Sequence, residues 1–598
     1  MNQHIRSTVA MLRLSWQTTP VLTCGLFLLD IALLVSSAGL PLALRAAVDA
    51  TTRGVVGTAV AAAAAAAAIC TLTAVVNSLH ISMRNRVIDQ VAETRLKPRI
   101  ARDIATLDGI EHLERSDYLD RVTLLRGSAW GVVEGAWAAI TAVFTALRLG
   151  LVLLLMGTVS PWLIGLVVFA VVPLWCNRRG RTLVNQAEID SAEAFRLQRH
   201  LFDLTTSAEA GKEIRVARAG DELARRHAAA WDDVMAVRSR ARLRATCWRL
   251  VGWAAFALGF AGALTVVVHS YARGSASAGD LILAVSVAAT LESAVQAAVN
   301  SAGEALEAER LMHAYTWLRG YAAAERSRAA GKRPPPAVLR TGISLKNVGY
   351  AHPGSRRPAL EALDLTLPAG SVVAVVGEFG SGKSTLGKLL CKFYRPTTGT
   401  IEVDGTDLTE LDTALWRART SAAFQDFGRY PQTTLRESVG LGDLPHLGDG
   451  SRVERAIRAA DAEALVAALP QGLETPLGQT FGGVDLSEGQ WQKAALARAG
   501  MRSDPLLFLL DEPTASLDAP SEHAIFEHYM RHASALARRT GGITVIISHR
   551  FSTVAGADLI LVLGDGRLVE QGTHEELMEL GGTYSGLYDI QARAYSLD

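Results

Sequence analysis

The 598-residue chain has only five cysteines, Cys24, Cys70, Cys176, Cys247 and Cys391, and no two of them form a C-x-x-C pair. That scatter excludes a disulfide framework and a zinc site built on paired cysteines. An excess of one charge is also missing, since 60 Lys and Arg stand against 59 Asp and Glu. A nucleic-acid partner is therefore not expected. A cleavable signal is not expected either, because the first apolar stretch is long enough to span a bilayer and no typical cleavage site ends it. What the chain does have is apolar mass. Hydrophobic residues make up 49% of it, mean hydropathy is +0.20, and the excess lies in the first half. The length requires at least two domains. Arg outnumbers Lys and Ala is abundant, as in proteins from high-GC bacterial genomes.

A spanning helix needs about 20 mostly apolar residues. Six stretches qualify: Leu22–Leu42, Val55–Val76, Ile140–Gly157, Trp162–Trp175, Trp248–His269 and a weaker Leu281–Val299 that runs on through Glu307. The third and fourth form a hairpin with a proline break at Pro161. Asp30 and Arg148 are charges inside apolar runs, and they are expected to pair with each other or to line a transport route. Glu292, Gln296 and Asn300 recur at helical spacing on the sixth span, with Ser293 beside them. They form a polar stripe that faces either a cavity or a neighbouring helix.

Basic residues set the orientation. The segment after the second span carries Arg84, Arg86, Arg95, Lys97, Arg99 and Arg102, and the one after the fourth carries Arg178, Arg179, Arg181, Arg196 and Arg199. The opposite loops hold only Arg45, Arg53 and Arg273. Both basic segments, and with them both termini, are assigned to the cytoplasm. With little loop punctuation, the two segments read as helices extending beyond the bilayer. A linker near 326–339 contains Pro334-Pro335-Pro336, a stiff spacer. The expected division is therefore 1–325 membrane domain, 326–339 linker and 340–598 second domain.

The second domain carries the chemistry. The apolar strand Ser371–Val376 feeds Gly377-Glu378-Phe379-Gly380-Ser381-Gly382-Lys383-Ser384, a G-x-x-x-x-G-K-S phosphate loop. Backbone N–H groups of such a loop and of the helix it opens point at phosphates. Lys383 is expected on the β/γ-phosphates and the Ser384 hydroxyl on Mg²⁺. About a hundred residues later come Leu486-Ser487-Glu488-Gly489-Gln490 and then Leu507-Phe508-Leu509-Leu510-Asp511-Glu512.

Together these three elements resemble the ATP-binding cassette (ABC) ATPases. The resemblance implies that Gly377, Gly380, Ser381, Gly382, Lys383, Ser384 and Thr385 bind ATP. Asp511, with Ser384 and Gln425, holds Mg²⁺, and Glu512 is the general base. His549, in Ser548-His549-Arg550 after the β-branched strand Ile543–Ser548, is the switch histidine at the γ-phosphate. Gln425, in Ala423-Phe424-Gln425-Asp426, is the glutamine loop. Ser487, Gly489 and Gln490 of the signature reach ATP held by a partner cassette. Ser516-Leu517-Asp518 is the loop crossing to that partner. His352 occupies the adenine-stacking position where an aromatic is usual, with Tyr350 as the alternative. Gln479 stands where many exporters carry Glu.

Six spans, long helical extensions and one cassette resemble a half-transporter of the ABC exporter type. The fold class expected is an α-helical membrane domain of six transmembrane helices plus an α/β P-loop cassette with a helical subdomain. The resemblance places hairpin tips, near Glu111–Arg121 and Ser207–Arg215, against cassettes. It implies an ATP-driven exporter of an amphiphile, peptide or lipid in a bacterial plasma membrane, working with a second half-transporter in a homodimer or heterodimer. No cysteine-peptidase domain precedes the membrane half, so leader trimming is not expected of this chain. The alternatives are an importer on the same fold, for example of a metal chelate, a gated channel, and a non-transporting ABC ATPase, against which the six spans argue.

Overall fold

A computed structural model describes residues 2–159, 161–274, 276–329, 331–513, 519–549 and 554–595. They fall into two compact units: Met1–Arg102 with Val122–Leu318, and Asp103–Arg121 with Arg319–Asp598.

Among the described residues, six helices of the first region are long and apolar enough to cross a membrane: Pro20–Thr52, Val56–Ala105, Ala129–Thr158, Pro161–Asp190, Gly220–Ala272 and Ala278–Ala297. In the first five, only 11% to 28% of the most apolar window is buried. Apolar side chains left outside on that scale need a second apolar medium, which a bilayer supplies. The chain is a multi-pass membrane protein. A 3₁₀ turn at Pro161–Gly165 marks the expected proline break. Helices Leu166–Asp190 and Gly220–Ala272 approach closely through small residues. A Cβ on Gly252 would lie 2.9 Å from Pro173 Cα, and one on Gly259 would lie 2.3 Å from the Phe169 ring.

The expected Asp30–Arg148 pair does not form. Asp30 Oδ1 lies 3.0 Å from His80 Nε2, and Arg148 Nη2 donates to Ser293 Oγ at 3.0 Å. Asp30 and His80 are brought together by the antiparallel packing of the first two spans, a register that neither residue's own sequence neighbourhood reveals. The side chains of Glu292 and Asn300 lie outside the described residues, so the polar stripe is represented by Ser293 and Gln296 alone.

Among its described residues the second unit contains two sheets. The strands are β1 (Gly342–Tyr350), β2 (Leu360–Pro368), β3 (Val372–Gly377), β4 (Thr398–Val403), β5 (Thr406–Asp407), β6 (Thr420–Ala423), β7 (Leu507–Asp511), β8 (Ile543–Ile547), β9 (Leu559–Gly564) and β10 (Arg567–Gly572). An antiparallel sheet runs β2-β1-β4-β5, and a six-stranded sheet runs β10-β9-β3-β8-β7-β6. In the larger sheet every pairing from β9 to β6 is parallel. Its central strands read as unbroken apolar runs because both faces are covered. Val372, Ala374, Val376, Phe508, Leu510 and Ile546 pack on one side with Leu435, Val439, Val453 and Trp491 of the helical subdomain. Val373, Val375, Leu507, Leu509, Val545 and Ile547 pack on the other with Leu386, Leu389 and Trp416. The alternation of strand side chains thus divides one sheet between two cores.

The long helix beginning at Ala278 continues to Ala329. The first four residues of the expected linker are therefore helical, because no glycine or proline interrupts them before Gly331 and Pro334. The extended part is held by Arg333, whose N–H donates to Glu410 O at 3.1 Å while its carbonyl accepts from Asp412 N at 2.7 Å. The tip residues 103–121 group with the cassette, whereas the helix Ala208–Val216 of the other tip groups with the spans.

Candidate nucleotide site

Strand order assembles the site. β3, β8, β7 and β6 are neighbours and parallel, so their carboxyl ends open on one edge, where ligands bind in open α/β sheets. The phosphate loop leaves β3, His549 follows β8, Asp511 and Glu512 end β7, and Gln425 follows β6.

The loop needs glycine at defined points. Gly377 has φ +145° and Gly382 has φ +95°. A Cβ would lie 2.1 Å from Leu563 O at the first position and 2.5 Å from Ala359 O at the second. Gly380 is also left-handed, at φ +79°. Gly382 opens the helix Lys383–Leu390, which contains Ser384 and Thr385. Lys383 Nζ curls back to Gly377 O at 2.9 Å and Glu378 O at 2.8 Å. Burial pushes its pKa down, and Glu512 and Asp511 oppose that shift. Ser381 Oγ is buried with no hydrogen-bond partner among the described residues, a group that a phosphate oxygen would satisfy.

Ser384 Oγ donates to Asp511 Oδ1 at 3.3 Å. Asp511 is 5% exposed, and burial pushes its carboxyl up to about 6, against the pull of the Ser384 hydrogen bond. A hydroxyl beside a buried carboxylate is an all-oxygen donor pair of the kind Mg²⁺ takes together with substrate phosphates. Gln425 Nε2 donates to Glu512 Oε2 at 2.8 Å, and His549 Nδ1 lies 3.2 Å from Glu512 Oε1. Glu512 is thus held from both sides. Its backbone is left-handed at φ +49° and is fixed by N–H donation to Ile547 O at 2.9 Å. Strain of this kind persists only where surroundings impose it.

Ser487 caps the signature helix Glu488–Ala499 through a capping box. Its N–H donates to Gln490 Oε1 at 2.8 Å, and its Oγ accepts from Gln490 N at 3.3 Å. Gly489 lies in the first turn, where the positive end of the helix dipole suits an anion. Asp518 and its loop lie outside the described residues.

The base-side expectation needs a correction. Tyr350 is 1% exposed, and its ring stacks on Tyr394 at 4.7 Å and 11°. It is part of the core and cannot turn to a base. His352 keeps 37% of its side chain exposed and is the reachable ring of the two. Tyr394 was not foreseen in the sequence, and Glu111 and Glu114 were expected only as part of a tip lying against a cassette, not beside His352 and Tyr394.

Residues 360–515 match the family model described as ABC transporter. The human mitochondrial potassium channel ATP-binding subunit is 40% identical over 262 residues, 43% of this chain and 34% of that protein. An ATP-dependent lipid A-core flippase of Cupriavidus pinatubonensis is 41% identical over 251 residues, 42% of this chain and 41% of that protein. The flippase of Pseudomonas fluorescens is 33% identical over 340 residues, 54% of this chain and 52% of that protein. These matches span between about a third and a half of the relatives' own length. A solved bacterial Atm1-family ABC exporter with ATP bound shares the fold across 96% of this chain and 99% of its own, with TM-score 0.75 and 24% identity. Residues 360–515 are thus similar to the ABC transporters, and the chain as a whole shares the fold of the solved ABC exporter.

Proposed function

We propose that the chain is one half of an ATP-driven pump that exports an amphiphilic small molecule, peptide or lipid across a bacterial plasma membrane. The cassette and both termini are cytoplasmic, on the side of the basic segments. The observation carrying this reading is the convergence of the phosphate loop, Ser384–Asp511 and the Gln425–Glu512–His549 cluster at adjacent strand ends, in a chain with six apolar helices.

Two copies close on two ATP molecules, each held by one copy's phosphate loop and the other's signature helix. Lys383 exchanges its carbonyl partners for phosphate oxygens. Ser384 and Asp511 would hold Mg²⁺, with Gln425 beside them; when bound, the ion neutralises charge on the phosphates. Glu512 orients and polarises the attacking water, with Gln425 and His549 fixing the carboxylate, so catalysis rests on positioning. Closure favours one arrangement of the spans and hydrolysis releases it, which is alternating access by differential binding.

The test is vesicle orientation. ATP added to inside-out vesicles should drive accumulation of a fluorescent amphiphile, and Glu512→Gln should abolish it. Accumulation only in right-side-out vesicles loaded with ATP would make the chain an importer.

A further inference from the structure

The tip residues 103–121 lie in the same compact unit as the cassette, and they bring two carboxylates to the base side of the nucleotide site. Glu111 and Glu114 bracket the 3₁₀ turn Glu111–Glu114. Glu111 Oε1 accepts from the Tyr350 hydroxyl at 3.4 Å, and Glu114 accepts from the Tyr394 hydroxyl. Burial pushes both phenols well above the usual tyrosine range, so they remain donors at any working pH. The two rings form a closed stack, 1% and 2% exposed. His352 stands perpendicular to both, at 5.0 Å and 83° from Tyr350 and at 5.6 Å and 87° from Tyr394. Its Nδ1 lies 3.3 Å from Glu114 Oε2. The other Glu114 oxygen lies 3.6 Å from Lys388 Nζ, on the phosphate-loop helix Lys383–Leu390.

One carboxylate from the tip therefore touches the ring that meets the base and the helix that receives the phosphates. An imidazole is a smaller and weaker stacking surface than a phenol, and its orientation depends on what holds its other nitrogen. We propose that Glu114 is a positioning residue for the purine base: it fixes the His352 ring against the Tyr350–Tyr394 stack, so that base affinity requires the docked tip. Linkage makes the effect reciprocal, and a purine on His352 tightens the tip's hold on the cassette. The inference rests on the proposed ATP binding.

The experiment measures equilibrium binding of AMP-PNP to the full chain in lipid nanodiscs, with inorganic triphosphate as the base-free probe. Glu114→Ala should weaken AMP-PNP about 3- to 10-fold, the range of a lost aromatic contact, and leave triphosphate affinity unchanged. Glu114→Gln, which keeps the acceptor for Tyr394, should lose less. In a His352→Phe background, whose ring needs no carboxylate, Glu114→Ala should have no effect on AMP-PNP. Equal losses for AMP-PNP and triphosphate, or the same Glu114→Ala loss in both backgrounds, would overturn the inference. AMP-PNP binding by the parent chain that ignores Glu114 would overturn it alone. No binding by the parent chain would overturn the proposed function as well.

Discussion

In the cassette, Gln425, Asp511, Glu512 and His549 crowd one sheet edge, and Asp511 and Glu512 stand side by side with Ser384 bonded to the first of them. In the membrane unit, polar groups meet at separate points along the helices: Asp30 with His80, Arg45 with Asp280, Arg84 with Glu134 and Arg148 with Ser293. The cassette carries like charges in proximity and meets the cost with fixed dipoles and hydrogen bonds, an arrangement that suits a polyanion and a dication. The membrane unit instead ties polar groups of different helices together, as where Arg45 pairs with Asp280 and Gly279 N–H donates to Asp49, and such pairing offsets the cost of polar groups among apolar helices. The first arrangement is reactive and the second holds helices in register.

Substitutions can break this contrast. The largest effect is expected at Glu512. Glu512→Gln should lower kcat about 10²- to 10⁴-fold, the range for a positioned general base, with nucleotide binding retained. Next is Gly382→Ala, which adds a Cβ 2.5 Å from Ala359 O at φ +95°. The left-handed strain alone is worth about 1–2 kcal/mol, and AMP-PNP affinity should fall about tenfold or more. Gly405→Ala, at φ +77° with no atom near its Cβ, should carry comparable strain and leave that affinity intact.

In the membrane unit, His80→Ala should lower stability by about 1–2 kcal/mol, read as a fall in thermal midpoint in nanodiscs. Asp30→Asn combined with His80→Ala should recover part of that loss, because no unpaired carboxylate remains. An additive double mutant would mean that the pair does not interact.

The smallest signal is a pH slope. Lys392 is 9% exposed, its ammonium donates to Leu411 O, and burial lowers its pKa to about 8. Its folded-state pKa lies below that of the unfolded chain, so the penalty for burying the charge is fully present below pH 8. The penalty fades as pH rises from about 8 to about 10.4, the unfolded value. Lys392→Met removes this term, and the stability of wild type relative to the variant should rise across that window in thermal melts.

Much of the cassette could be read from the chain because each motif is tied to a local backbone requirement. Gly377 and Gly382 are needed where no Cβ fits, Ser487 and Gln490 close a capping box three residues apart, and strands buried on both faces are uninterrupted apolar runs. The number of spans was equally legible, since bilayer thickness fixes the length of each. Pairings set by tertiary register were not. Asp30 meets His80 across two helices, and Glu114 meets His352 across more than two hundred residues. No local pattern encodes either contact. Tyr350 misled for a related reason: its position in the sequence suggested a ligand contact, while the end of β1, buried at Val348, Gly349 and Tyr350 in succession, carries it into the core.

The most direct test of the account is ATP hydrolysis by this chain expressed alone in lipid nanodiscs, beside Glu512→Gln. Mg²⁺-dependent turnover should fall at least about a hundredfold in the variant, with both proteins binding AMP-PNP. Equal turnover by the two would contradict it, because the strand-end cluster around Glu512 would then not be the hydrolytic site.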